Sequence, residues 1–144
     1  MKTYSLFRLL VAPVITAGLL LVQPVHAEDE DTPLAKTMQE ASKALKALRK
    51  LPKDDWAGGA EAARTAAEGI RKGIEFVPVL IKEMKDGVEK EKALADYRRL
   101  MGLNYAALCQ LELAYLEKDV AKVEEATKAW KALKKEGHKK YEDD

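Results

Sequence analysis

Residues 89–116, EKEKALADYRRLMGLNYAALCQLELAYL, decide the fold. The stretch contains no proline. Leu94, Tyr97, Met101, Asn104 or Tyr105, Leu108, Leu111 and Tyr115 recur at steps of three and four, which predicts one helix from about Glu89 to Leu116 with a broad apolar face. Asp86-Gly87 reads as the turn before it and Lys118-Asp119 as the connection after it. Beyond that connection Val120, Val123, Thr127, Trp130 and Leu133 form the inward stripe of a last helix that ends near Tyr141.

Upstream, Thr32-Pro33 reads as an N-cap followed by proline at the first helical position. Leu34, Met38, Ala41, Leu45 and Leu48 then line one face of a first helix that stops near Leu51, before Pro52. Asp54 or Asp55 caps a second helix with an Ala-rich stripe of Trp56, Ala60, Ala63, Ala67, Ile70, Ile74 and Val77, whose small side chains permit close approach to neighbours. Pro78 kinks or ends it, because proline removes a helical hydrogen bond, and Val79 to Lys85 resumes as a short helical turn. Four amphipathic helices of about 20 residues, roughly 30 Å each, with short connections predict an all-α, antiparallel up-down-up-down four-helix bundle. No period of repeat-protein length is visible, which disfavours a solenoid.

The first 27 of the 144 residues read as a leader rather than as part of this fold. Lys2 and Arg8 make a positive start, Leu9 to Val22 is apolar, and Val25-His26-Ala27 offers a signal-peptidase site before Glu28. Residues 28–144 are then the mature helical domain, 117 residues long, addressed to a periplasm and without a membrane span. Removal of Lys2 and Arg8 leaves 23 basic against 24 acidic residues, too even for a nucleic-acid binder that works by bulk positive potential.

Candidate chemistry is sparse. One cysteine and two histidines exclude an intramolecular disulfide, a Cys/His zinc cluster and a covalent c-type haem site, and cleavage removes His26, leaving His138. Cys109, between Leu108 and Leu111, reads as a buried, inert thiol. Glu83, Asp86, Glu89 and Glu91 lack the Glu-x-x-His partners of a di-iron bundle and read as a solvated face. Trp56, Tyr105, Tyr115 and Trp130 read as core anchors. In the predicted topology Met38, one turn into the first helix, and His138, one turn before the end of the last, share one end of the bundle. A thioether and an imidazole are a ligand pair for low-spin haem iron. Core filling by the methionine and a solvated, dipole-complementing histidine are the plain alternatives.

The chain resembles the cytochrome b562 family of soluble periplasmic haem b proteins. Leu34-Ala-Lys-Thr-Met38-Gln-Glu-Ala-Ser-Lys-Ala-Leu45-Lys is similar to that family's first helix, and Asp96-Tyr97-Arg98-Arg99-Leu100-Met101 resembles an acidic-aromatic-arginine pattern in its third. Glu117 to Tyr141 aligns without a gap on its fourth helix. The likeness spans residues 32 to 142 and is poorest between Gly73 and Lys92. It implies one non-covalent haem b per chain, with Met38 and His138 as axial ligands and Leu34, Ala41, Tyr97, Met101 and Lys134 nearest the porphyrin. Tyr97 and Met101 stand where the family tends to carry phenylalanines, which implies a looser or wetter pocket.

The implied activity is electron transfer, not enzymatic catalysis, between the haem and unidentified periplasmic redox proteins. The lysines from Lys131 to Lys140 offer a surface for an acidic partner. The rival expectation is a haem-free periplasmic bundle, either a stress or interaction protein or a weak copper binder using Met38 and His138.

Overall fold

The computed structural model describes residues 32–141. The expected leader (1–27), the acidic residues 28–31 and the last three residues lie outside the described residues. Among the described residues the chain is all-helical, with α1 (Pro33–Leu48), α2 (Trp56–Gly73), a short α3 (Val79–Glu83), α4 (Val88–Leu116) and α5 (Val120–Tyr141).

Local chemistry sets these boundaries. The Thr32 hydroxyl accepts from the Ala35 amide at 3.0 Å and Pro33 opens α1, while Asp55 accepts from the Gly58 amide at 2.9 Å and opens α2. Gly87, at φ +147°, makes the turn into α4, a backbone conformation that glycine adopts without a Cβ penalty. Lys118 at φ 55° ends the α4 turn, and Asp119 accepts from the Lys122 amide at 3.1 Å to start α5.

α2 ends at Gly73, so Ile74 and Val77, expected on its stripe, lie beyond the helix. Pro78 explains this, because its ring would collide with the carbonyl of residue 74 and it bars Val77 from helical backbone angles. Ile74 and Val77 still pack on the core from the loop, and α3 plugs it with fully buried Ile81. Val120, expected inward, is 59% exposed. It is the first residue of α5, and α4 has already ended at Leu116, leaving nothing to pack on. Cys109, expected to be buried, is half-buried at the margin of the core.

Side-chain contacts join the successive long helices. α1 lies so close to α2 that a Cβ on Gly69 would stand 2.9 Å from the Thr37 carbonyl and 3.0 Å from the Ala41 Cβ. Between α2 and α4, the Tyr115 ring covers Gly59, Arg64 pairs with Glu112 at 2.8 Å, and the Tyr97 hydroxyl donates to the Gly73 carbonyl at 2.9 Å. α5 is tied to α4 through Asp96, which accepts from Tyr141 at 2.8 Å and pairs with Lys140 at 2.9 Å. The core between them is built from Ala63, Ala66 and Ala67 of α2 with Leu100, Leu108 and Leu111 of α4. Asn104, rather than Tyr105, faces inward and donates to the Leu100 carbonyl at 3.0 Å.

Close packing thus runs from α1 to α2, from α2 to α4 and from α4 to α5, with α3 touching α4. α1 and α5 form no comparable seam. No described helix is long and apolar enough to cross a membrane.

Candidate functional site

The residues expected around a cofactor divide into two groups. Leu34 and Met38 of α1 and Met101 of α4 converge on Gly73, where a Cβ would stand 2.5 Å from the Met38 Cε, 2.7 Å from the Met101 Cε and 3.5 Å from the Leu34 Cδ1. Gly73 is buried, and its missing side chain is the space the two methyl groups occupy. Tyr97 closes the same layer. Its ring is 4% exposed, its hydroxyl is held by the Gly73 carbonyl, and burial pushes its ionisation up to about 12. Ala41 belongs to the neighbouring turn, against Gly69.

The second group lies on α5. His138 is exposed in the last turn of α5, three residues before Tyr141, whose ring meets Tyr97 edge-on with centroids 5.5 Å apart. Lys134 is one turn earlier and faces the α1–α5 edge. Tyr97 and Tyr141 therefore link the Gly73 cluster to the last turn of α5, while no described contact joins Met38 directly to His138. Asp96 holds this end together, because hydrogen bonds from Lys140, Arg99 and Tyr141 keep its carboxyl well below the usual carboxylate range. The acidic-aromatic-arginine pattern of α4 is thus a clamp on α5.

Along the same edge, deeper in the molecule, Leu45 and Leu48 of α1 face Trp130 of α5 across a groove of about 300 Å³. Leu111 and Tyr115 of α4 also line it, and Arg49, Lys131 and Lys134 stand at its rim. Sequence reasoning took Tyr115 and Trp130 only as core anchors, placed Lys131 in a surface lysine cluster rather than at a groove, and missed Arg49. Their signal was the continuation of the α1 and α5 stripes onto helices that then fail to pack together. Trp56 does act as an anchor, 6.2 Å from the Tyr115 ring.

Among the described residues no three His, Cys, Asp or Glu side chains gather as a metal-ligating cluster. Met38 and His138 offer two donors, and two suit a metal inside a macrocycle that supplies the remaining donors itself. No protein-family model, curated protein or solved structure matches this chain.

Proposed function

We propose that this chain is an antiparallel up-down-up-down four-helix bundle of α1, α2, α4 and α5 that holds one non-covalent b-type haem between Met38 and His138 and serves periplasmic electron transfer. The observation that carries the reading is the unsealed α1–α5 edge, since the two candidate ligands lie on the two helices that leave it open. Register supports the pairing. Leu45 and Lys131 line opposite walls of the groove, Met38 lies seven residues before the first and His138 seven after the second. In antiparallel helices both steps run about 10 Å toward the same end.

The residues fit the group. The Met38 thioether is on three rotatable bonds and can leave its seat over Gly73 without backbone movement. Met38 and His138 would hold the iron, with Leu34, Ala41, Tyr97 and Met101 as the apolar wall and Lys134 at the rim. Bound there, haem supplies one-electron cycling between ferric and ferrous iron. The apolar wall of Leu34, Ala41, Tyr97 and Met101, by excluding water, would disfavour the extra charge of the oxidised centre and raise the potential. Exposed lysines of α5 would steer an acidic redox partner.

The test is a haem titration of the colourless protein. A low-spin spectrum at one haem per chain is expected, with Met38→Ala giving high-spin or water-ligated iron and His138→Ala weakening binding further, imidazole being the stronger ligand. Binding should also raise the melting temperature, because a ligand held only by the native state stabilises it by about 2.7 kcal/mol at a hundredfold excess over Kd. Unchanged low-spin spectra in both variants, or no binding, would overturn the proposal and favour a haem-free bundle in which the methyl groups of Met38 and Met101 simply fill the space above Gly73.

A further inference from the structure

The groove between α1 and α5 has a composition that the haem reading does not require. Its floor is apolar, with buried Leu45 and Leu111, half-buried Leu48 and the ring of Trp130. The charged residues at its rim are Arg49, Lys131 and Lys134, and no carboxylate lines it. None of these three cations is spent on an ion pair among the described residues, so each is available to a ligand.

We infer that the groove is a binding site for a free, single-chain organic carboxylate, with the alkyl body against Leu45, Leu48 and Trp130 and the carboxylate toward the rim cations. The volume of about 300 Å³ is at the small end of ligand sites, which favours one chain over a two-chain lipid. Burial of the body provides the affinity, and the rim selects the sign of the head group. Lys131 and Lys134, one turn apart on α5, reach the same stretch of rim, and Arg49 adds a guanidinium from the opposite wall, able to take a carboxylate through two parallel hydrogen bonds. Met38 and His138 do not line the groove, while Lys134 is common to it and to the rim of the proposed haem site.

The experiment uses the full chain and dodecanoate below its micellar concentration, followed by calorimetry. Fluorescence of the Trp56→Phe variant, in which Trp130 is the sole remaining tryptophan, gives a second readout. Saturable one-to-one binding with a Trp130 response is expected, weakened about tenfold in Lys131→Glu/Lys134→Glu, a change that spreads about 1.4 kcal/mol over two exposed charges. Dodecyltrimethylammonium, with the same chain and the opposite charge, should give no saturable response. Absence of saturable dodecanoate binding, equal binding of the cationic amphiphile, or less than a twofold change on charge reversal would overturn the inference. Met38→Ala leaves the groove lining intact and should bind dodecanoate as the parent does, so failure here and failure of the haem titration are read separately.

Discussion

Gly69→Ala and Gly102→Ala are the same chemical change inside two long helices, and the structure assigns them opposite consequences. Alanine in place of glycine in a helix interior is worth about 1 kcal/mol through reduced backbone entropy in the unfolded chain. At Gly102 nothing stands within 4 Å of the new Cβ, so the whole gain should appear as added stability. At Gly69 the Cβ would sit 2.9 Å from the Thr37 carbonyl oxygen, with the Ala41 Cβ at 3.0 Å and the Ala41 amide nitrogen at 3.1 Å. Two of these atoms belong to the α1 backbone and cannot swing aside as a side-chain tip would. α1 must therefore move off α2, and overpacking of this kind costs about 1–3 kcal/mol. Set against the propensity gain, Gly69→Ala should fall between neutral and about 2 kcal/mol destabilised, which is about 1–3 kcal/mol below Gly102→Ala. Urea unfolding followed by helical circular dichroism, with slopes compared to confirm that only the midpoint moves, measures both variants on one scale. Should Gly69→Ala be as stable as Gly102→Ala, the close seating of α1 on α2, and with it the position of Met38 over Gly73, would be wrong.

Two further predictions concern pH. Tyr97 ionises near 10 in the unfolded chain and at about 12 when folded, so its stabilisation is complete below pH 10 and is lost as pH rises toward 12. Urea midpoints at pH 9 and pH 11 should therefore fall less in Tyr97→Phe than in the parent, although Tyr141, also pushed up to about 12, keeps part of the slope; identical slopes would refute the burial of the Tyr97 hydroxyl. Asp96 is shifted the other way, so its contribution is full above the ordinary carboxylate range near pH 4 and fades as pH falls through its lowered value. Asp96→Asn should cost roughly 1 kcal/mol at pH 7, a figure kept small by solvent screening of this partly exposed cluster, and should flatten the acid limb of a stability profile. An acid limb as steep as the parent's would show that Asp96 does not clamp α5.

Much of this protein is set by its sequence alone, because helix formation is decided over a few turns. The three-four spacing from Leu94 to Leu111, the caps at Thr32 and at Asp54 or Asp55, and Pro78 specify where α1, α2 and α4 begin or stop, and the Ala-rich stripe of α2 specifies a close neighbour. None of these signals needs a distant contact. What the tertiary structure decided is non-local. Spacing could not choose between Asn104 and Tyr105, since both lie within one helical face and only the position of α2 turns Asn104 inward. The same spacing placed Val120 in the core, but the end of α4 at Leu116 left it with no partner. Gly69, Gly73 and Gly102 look alike as letters, yet one seats a backbone, one seats two methionine methyl groups, and one faces open space. Above all, the stripes of α1 and α5 read like those of sealed helices. Whether two helices separated by the rest of the chain meet depends on how α2 and α4 pack between them, and here that packing leaves their shared edge open, with the groove along it.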